Sequence, residues 1–269
     1  MPPLSFLHVT DLHVTPEGAP LLYGLEPGLR LQHAVADMAA RHGPGSAAPV
    51  EFLVVTGDLT HHGEPLAYAR LGGILDALPF PVHLLIGNHD DRAAFVAAFP
   101  GTPRDAAGFI QQALATPAGL FLMLDTNEPG THAGRLCAVR LEWLAAQLAE
   151  GDADVLLFLH HPPFRVGIAE MDRIPLLDAA ALWAVLAPHA PRIRHIFHGH
   201  LHRPLSGSWH GIPFSSLRGT AHQVALDLSE RTTVPGSQEP PAYALVRVSD
   251  EGVVVHTHDF LDETNIFDL

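Results

Sequence analysis

Short apolar runs alternate with longer amphipathic stretches up to about residue 203 of the chain. Short runs rich in β-branched residues are typical of buried strands, and they cover residues 4–10, 51–56, 81–86, 154–159 and 194–198. Between them, apolar residues recur at the spacing of amphipathic helices, over residues 29–41, 64–78, 91–99, 139–150 and 178–186. Strands that alternate with helices predict an α/β fold with largely parallel pairing.

The remaining segments have the pattern of β-structure. Residues 108–125 contain two apolar runs around Thr116-Pro117-Ala118-Gly119, which predicts a hairpin. Helical spacing fades after residue 203, and further strands are predicted at residues 204–209, 212–217, 221–228, 242–248 and 252–257. Residues 15–27 and 231–241 are predicted to be surface loops. Because the chain shows no internal repeat and no long linker, we expect one domain over residues 1–269, with helices outside two packed sheets. The strands from about residue 204 are expected to complete the second sheet.

Composition excludes several classes of protein. The 269 residues are 47% apolar, which is enough for a substantial core, and all 15 basic residues are Arg. Without Lys the chain has no Walker-type phosphate loop and no Schiff-base or pyridoxal chemistry. The net charge of −14 argues against a duplex nucleic-acid partner, because such binding depends on basic groups. The 20 His are abundant, but a compositional bias explains a high count as well as metal binding does.

The single cysteine and the hydropathy of the chain set further limits. Cys137 stands alone, which excludes an intrachain disulfide and a thiolate-rich zinc site. No apolar run is long enough to span a bilayer, and the first residues do not have the pattern of a signal peptide. We therefore expect a cytoplasmic protein without a membrane partner, and the sequence leaves a homo-oligomer open.

Side chains that can bind metal follow each of the five predicted parallel strands. They occur in the segments Asp11-Leu12-His13, Gly57-Asp58, Gly87-Asn88-His89-Asp90, His160-His161 and Gly199-His200-Leu201-His202. Open α/β sheets place their ligands at the carboxyl ends of the strands. In an extended segment, residues two apart point the same way, so Asp11 and His13 can share one side, as can His200 and His202. Carboxylates, imidazoles and an amide oxygen suit iron, manganese, cobalt or zinc.

The number of candidate ligands indicates two metal ions. The seven candidates are Asp11, His13, Asp58, Asn88, His160, His200 and His202. A single ion with open coordination positions needs fewer ligands than these seven. Asp58 is the natural bridging ligand, because its motif contains no second ligand. Two ions about 3.5–4 Å apart form a clamp for in-line displacement at phosphorus.

The order of these motifs resembles that of the calcineurin-like metallophosphoesterase superfamily over residues 4–203. Residues 57–65, 87–92 and 160–164 are similar to class III cyclic-nucleotide phosphodiesterases and bacterial glycerophosphodiesterases, and residues 219–223 lean towards the latter. The resemblance implies a four-layer α/β/β/α sandwich of two mixed sheets. It also implies a first ion held by Asp11, His13, Asp58 and His202, and a second held by Asp58, Asn88, His160 and His200. His89 corresponds to a non-ligand histidine that contacts the scissile phosphate or the leaving group.

Two departures narrow the resemblance. Purple acid phosphatases carry a tyrosine ligand three positions after the bridging aspartate, where this chain has His61. Protein phosphatases carry Glu after the Asn-His pair, where this chain has Asp90. Both classes are therefore disfavoured.

The resulting hypothesis is a dinuclear phosphodiesterase that acts on small-molecule diesters. A hydroxide that bridges the two ions would attack phosphorus while His89 assists the departing alkoxide, and Asp90 would orient His89 or support the site indirectly. His222 and Arg92 are candidates for contact with the substrate. Cyclic nucleotides and glycerophosphodiesters remain open as substrates. The alternatives are a broad phosphomonoesterase or nuclease, and a non-catalytic scaffold that binds proteins.

Overall fold

Two mixed β-sheets form the frame of the molecule in the computed structural model, which describes residues 3–262 and residue 267. The first sheet contains β1 (Leu4–Val9), β2 (Leu53–Thr56), β3 (Val82–Leu85), β12 (Tyr243–Ser249) and β13 (Gly252–His258). The second contains β4 (Gln112–Thr116), β5 (Gly119–Met123), β6 (Val155–Leu159), β7 (Ile193–His198), β8 (Leu205–Trp209) and β9 (Ile212–Ser216). A separate ribbon pairs β10 (Gln223–Val224) with β11 (Gly236–Ser237).

Parallel strands occupy the centre of each sheet. The strand orders are β13-β12-β1-β2-β3 and β4-β5-β6-β7-β9-β8. The strands β1 to β3 are parallel, as are β5, β6, β7 and β9, whereas β12, β13, β4 and β8 pair antiparallel at the sides. Most parallel steps need a helical crossover. The helices are α1 (Pro27–His42), α2 (Pro65–Leu75), α3 (Arg92–Ala98), α4 (Ala138–Ala149) and α5 (Ala179–Leu186).

Three apolar layers hold the architecture together. Between the sheets, Phe6 of β1 lies against Phe121 and Phe158 of the second sheet, with ring centroids 5.2 and 5.8 Å apart. A second cluster joins the outer face of the first sheet to α1 and α2, and a third joins the outer face of the second sheet to α4 and α5. This order of layers confirms the predicted α/β/β/α sandwich. A single domain over residues 1–269 stays a prediction.

The predicted strands and helices before residue 203 are present, with ends that differ by a few residues. The assignment of the late strands to the second sheet is wrong in part: β8 and β9 complete it, but β12 and β13 join the first sheet beside β1. Alternation of apolar residues identifies a strand but not its distant partner. The predicted strand at 221–228 is reduced to Gln223–Val224, which pairs with a strand inside the predicted loop 231–241.

Candidate metal centre

The carboxyl ends of β1, β2, β3, β6 and β7 meet at one edge of the sandwich. This arrangement brings together all seven predicted ligands, Asp11, His13, Asp58, Asn88, His160, His200 and His202. Six of them are buried and Asn88 is half-buried, and the cluster adjoins a cavity of about 240 Å³. The cluster therefore has the position that open α/β sheets give to their ligand sites.

Four of these residues form one compact group. Potential ligand atoms of Asp11, His13, Asp58 and His202 lie within 4.8 Å of one another. Nε2 of His13 is 3.1 Å from Nε2 of His202 and 3.5 Å from Oδ2 of Asp58. Nε2 of His202 is 3.3 Å from Oδ1 of Asp11. Two imidazole nitrogens and two carboxylates thus converge on one small space.

The other carboxylate oxygen of Asp58 faces a second group. Oδ1 of Asp58 is 3.3 Å from Nε2 of His160, and that nitrogen is 3.1 Å from Oδ1 of Asn88. The ring of His200 lies 5.2 Å from the ring of His160. Nε2 of His200 donates to the carbonyl of Ile174 at 3.0 Å, so Nδ1 is the ring nitrogen left for a ligand bond. Asp58 therefore stands between two sets of donors.

Backbone carbonyls orient several of the imidazoles. Nδ1 of His160 donates to the Thr56 carbonyl at 2.7 Å, and Nδ1 of His202 donates to the His222 carbonyl at 2.8 Å. Each bond fixes the tautomer and leaves Nε2 free to accept, as is typical of metal-binding histidines.

Five of the seven predicted ligands have a left-handed backbone. The φ angles are 55° at Asp11, 47° at His13, 50° at Asp58, 68° at His200 and 47° at His202. The expectation that Asp11 with His13, and His200 with His202, converge through an extended backbone is therefore wrong, although their side chains do converge. Such φ values are uncommon for residues other than glycine and collect at functional sites.

Two glycines make room for this packing. Gly57 has a φ of +99°, and a Cβ there would lie 2.6 Å from Nδ1 of His160. A Cβ on Gly87 would lie 2.2 Å from Oδ1 of Asp58. Any larger residue at either position would displace a side chain of the cluster.

The electrostatics of the cluster fit a bound cation. Burial raises the pKa of Asp58, but nearby His160 and His89 outweigh burial and hold it well below its usual value. Burial lowers the pKa of His160, yet Asp58 raises it to about 9. Burial raises the pKa of Asp11, whose buried Oδ2 has no hydrogen-bond partner. An orphaned carboxylate oxygen among imidazoles, with no sulfur donor, is a donor set that suits a transition-metal ion.

His89 and His222 line the cavity beside the cluster. The ring of His89 lies 4.7 Å from that of His13, and its Nδ1 donates to the His61 carbonyl at 2.8 Å, which leaves Nε2 free. The ring of His222 lies 4.6 Å from that of His202. Burial lowers the pKa of His222 to about 3, so this imidazole is neutral. The structure thus places both residues on the wall of the cavity that adjoins the cluster.

Arg92, the other predicted substrate residue, does not line this cavity. Its Nε and Nη2 donate to the buried carboxylate of Asp125 at 2.8 and 3.0 Å, and Nη2 also donates to the carbonyl of Asn127. The guanidinium lies over the ring of Phe109. The prediction that Arg92 contacts the substrate is therefore corrected: its guanidinium donates to a buried carboxylate and lies outside the cavity.

The sequence reasoning missed His132. This residue follows β5, and its Nδ1 accepts from Nδ2 of Asn88 at 2.9 Å, which turns Oδ1 of Asn88 towards His160. Its ring lies 5.2 Å from that of His89. Since β5 is parallel to β6, the rule of strand carboxyl ends also covers its following loop and could have found His132.

Asp90 joins two of the motif loops. Its carboxylate accepts from the backbone N–H groups of Leu59, Thr60 and Gly87 at 2.9–3.1 Å and from the hydroxyl of Tyr68 at 2.9 Å. Burial raises its pKa to about 6. Asp90 therefore supports the loops that carry Asp58 and Asn88 rather than the side chain of His89.

The α/β/β/α fold and the buried Asp–His cluster define a metal-dependent hydrolase. The sequence profile of the calcineurin-like phosphoesterases matches residues 4–204, and the chain belongs to this family. The motif resemblance is thereby confirmed. The structure of a purple acid phosphatase from yellow lupin is similar in fold, with a TM-score of 0.66 and 12% identity over 99% of this chain and 53% of that one.

Two bacterial proteins are similar in sequence along almost the whole chain. A protein of Rhodopseudomonas palustris named a probable cyclic nucleotide phosphodiesterase is 45% identical over 99% of this chain and 96% of its own length. A glycerophosphodiester phosphodiesterase of Enterobacter lignolyticus is 30% identical over 93% of this chain and 89% of its own length. Across the described residues, no helix is both long and apolar enough to cross a bilayer.

Proposed function

We propose that this protein hydrolyses small phosphodiesters with the help of two bound transition-metal ions. The observation that carries the proposal is the position of Asp58, whose two carboxylate oxygens face separate sets of donors. The prediction that the chain is a phosphoric diester hydrolase is confirmed at the level of the class by its family and its named relatives.

The residues of the cluster divide into two sites that share Asp58. Asp11, His13, Asp58 and His202 would hold one ion. Asp58, Asn88, His160 and His200 would hold the other. Ions bound there would supply an activated water and would neutralise charge on the phosphate. Iron, manganese, cobalt and zinc all suit the oxygen and nitrogen donors.

His89 is the residue proposed to assist the leaving group. Its backbone N–H donates to Asp58 and its Nδ1 donates to the His61 carbonyl. These two hydrogen bonds hold the ring so that Nε2 faces the cavity. A donor held in place beside the reacting group protonates or hydrogen-bonds the departing alkoxide without further rearrangement. His132, which lies against His89 and Asn88, would hold this arrangement in place.

The charge of the cavity favours a diester over a monoester. Among the described residues, no Arg lines it, and the chain has no Lys. A singly charged diester asks less positive charge of such a site than a doubly charged monoester does. The near-complete donor set also disfavours a non-catalytic scaffold, and the net charge of −14 disfavours a nuclease on duplex DNA. Cyclic nucleotides and glycerophosphodiesters are the two proposed substrate classes, while the cytoplasmic location and the oligomeric state stay predictions.

Metal analysis and substrate turnover test this function together. The protein is reconstituted with Mn²⁺, Co²⁺, Zn²⁺ or Fe²⁺, and bound metal is counted by elemental analysis. Turnover is then measured with bis(p-nitrophenyl) phosphate, p-nitrophenyl phosphate, 3′,5′-cyclic AMP and glycerophosphocholine. We expect about two ions per chain and faster turnover of the diesters than of the monoester. Fewer than one ion per chain, with no diester turnover under any metal, would reject the proposal.

A further inference from the structure

A second pocket opens directly from the metal cavity. It has a volume of about 420 Å³, and Tyr23, His222, Val224 and Val234 line both spaces. Ser237 and Gln238 of the β11 segment complete its far wall. We call this space the Tyr23 pocket. Its volume lies in the range of small-molecule sites, roughly 300–1,000 Å³. A diester with its phosphate at the metal centre would extend one ester group into it.

The turn that carries Tyr23 has a defined backbone conformation. Leu22 and Leu25 exchange two backbone hydrogen bonds of 2.8 and 2.9 Å, and the central residues Tyr23 and Gly24 have φ angles of 51° and 81°. Positive φ at both central residues is what a type I′ turn requires. Nε2 of Gln238 also donates to the Tyr23 carbonyl at 2.9 Å, which ties the turn to the β10–β11 ribbon.

A bulky residue such as tyrosine is uncommon at the positive φ that this turn requires. The side chain is 64% exposed, so packing in a core does not account for it. Its ring lies 4.7 Å from that of His222, at an angle of 60°. The turn therefore presents an aromatic ring at the junction between the metal cavity and the Tyr23 pocket.

The chemistry of the pocket selects the kind of group it can take. Among the described residues, its walls carry two valines, the phenol of Tyr23, the imidazole of His222, the hydroxyl of Ser237 and two side-chain amides, but no carboxylate. The nearest acidic residue in sequence, Glu239, is paired with Arg203 at 3.0 Å. Among the described lining residues, a quaternary ammonium group would find one phenol ring for a cation–π contact but no carboxylate to balance its charge. A flat uncharged ring could stack on Tyr23, contact Val234 and hydrogen-bond to Ser237 or Gln238.

We propose that the Tyr23 pocket binds one organic group of the substrate and selects an uncharged planar ring, such as a nucleobase, over a cationic headgroup. This inference rests on the proposed diesterase function and specifies the substrate class of that site. Tyr23 acts as the residue that determines specificity, because its ring stands at the junction of the two cavities.

Three diesters, each with one negative charge on its phosphate, distinguish the effects of a planar ring, a cationic group and substrate size. These are 3′,5′-cyclic AMP, glycerophosphocholine and glycerophosphoglycerol, measured as kcat/KM on the metal-loaded enzyme. Tyr23→Asn removes the ring but tolerates positive φ, and Tyr23→Phe keeps the ring. Leu21→Ala is the matched control, because Leu21 is an exposed residue of the same loop that lines neither cavity.

The wild-type protein is expected to prefer cyclic AMP to both glycerol diesters. A base stacks favourably on an aromatic ring. Tyr23→Asn should therefore lower the ratio of kcat/KM for cyclic AMP to that for glycerophosphoglycerol by about tenfold. Tyr23→Phe and Leu21→Ala should keep this ratio within about twofold of the wild type. An unchanged ratio in Tyr23→Asn, or a wild-type preference for glycerophosphocholine, would overturn the inference.

Binding of adenosine 5′-monophosphate separates failure of this inference from failure of the proposed function. The affinity is measured by calorimetry for the wild type and for Tyr23→Asn. If no diester is turned over, the proposed function fails, and a weaker affinity in Tyr23→Asn would still support the pocket. Equal affinities in the two proteins would overturn the pocket whatever the turnover.

Discussion

The backbone N–H of His89 donates a 2.9 Å hydrogen bond to Oδ1 of Asp58. The same oxygen lies 3.3 Å from Nε2 of His160. One oxygen of the proposed bridging ligand Asp58 thus contacts both His160, a proposed ligand of the second ion, and the backbone of His89, the proposed leaving-group residue. A change at Asp58 is therefore expected to disturb both metal binding and the orientation of His89.

Replacement of Asp58 tests the shared ligand. Asp58→Asn keeps the shape of the side chain but removes its charge, so bound metal should fall from about two ions to one or fewer per chain. Because ions that bind only the folded state stabilise it by about 2.7 kcal/mol at 100 times the dissociation constant, the rise in Tm on addition of Mn²⁺ should also shrink. Elemental analysis and thermal unfolding measure both effects, with the exposed Asp91→Asn as the control. Two ions bound to Asp58→Asn would contradict the bridge.

The role of His89 predicts a dependence on the leaving group. His89→Asn should lower kcat for diesters with an alkoxide leaving group by about 10²–10⁴-fold. Turnover of bis(p-nitrophenyl) phosphate should fall much less, because nitrophenolate departs without a proton. His62→Asn, in an exposed histidine of the neighbouring loop, serves as the control. An equal loss for both kinds of diester would assign His89 to binding instead.

The carboxylate of Asp90 should matter for the geometry of the metal centre. Asp90→Asn places an amide NH₂ opposite the N–H groups of Leu59, Thr60 or Gly87, which now donate to the carboxylate. A buried donor without an acceptor costs about 1–3 kcal/mol. We expect a lower Tm together with weaker metal binding, whereas Asp91→Asn should change neither because asparagine also caps helices well. A lower Tm with unchanged metal affinity would limit Asp90 to a role in stability.

Buried imidazoles remote from the metal centre predict the pH dependence of stability. Burial lowers the pKa of His195 to about 4, against an ordinary value of 6.5. The unfolded chain therefore takes up this proton first as pH falls, and the stability of the fold decreases from pH 6.5 downwards. Between pH 7.5 and 5.0 this one residue should remove about 2 kcal/mol from the free energy of unfolding.

Urea unfolding of the metal-free protein at the two pH values measures this loss. His195→Gln keeps a polar side chain beside Ser215 Oγ, which lies 2.8 Å from Nε2 of His195, but does not titrate. Between the two pH values, the free energy of unfolding of His195→Gln should therefore fall by about 2 kcal/mol less than that of the wild type. An identical pH dependence in the two proteins would show that His195 is not kept neutral by the fold.

Arg92 is expected to affect stability and not substrate affinity. Its guanidinium compensates the fully buried carboxylate of Asp125, so Arg92→Gln leaves that charge with only the more distant guanidinium of Arg140, 3.9 Å away. Because Arg140 remains, the loss of stability should stay below the roughly 3–5 kcal/mol that breaking an isolated buried pair costs. Thermal unfolding should show this loss, while KM for diesters stays unchanged below the unfolding temperature. A raised KM with an unchanged Tm would restore the substrate role.

The strands and helices follow from local patterns, and so does the edge of the sheet where the ligands meet. Each parallel strand shows its period and its polar ending directly in the sequence. The sequence does not show which sheet β12 and β13 join, because β12 pairs with β1 at the other end of the chain and β13 follows through its pairing with β12. The segment 221–228 was overpredicted for a related reason, since a two-residue ribbon depends on a distant partner.

Within the site, residue type predicted which side chains converge but not how. Asp11 and His13 reach one space through a left-handed backbone, which residue identity alone does not reveal. Arg92 has the right chemistry for phosphate, but its guanidinium is bonded to the buried carboxylate of Asp125, which follows β5. His132 has no motif around it, and only the position of its loop after a strand parallel to β6 could have indicated that it lies beside Asn88.

The left-handed backbone at five of the proposed ligands restricts how the centre could be redesigned. Asp, Asn and His are several-fold enriched among non-glycine residues with positive φ, and they are also oxygen and nitrogen donors for metals. The conformation and the coordination chemistry therefore demand the same few amino acids. Exchange of Asp11 or His202 for Glu or Cys would add a conformational cost of order 1–3 kcal/mol to any gain in affinity for a new cation. Asn88 and His160, whose φ is not positive, are the positions where the metal preference could be altered with the least cost to the backbone.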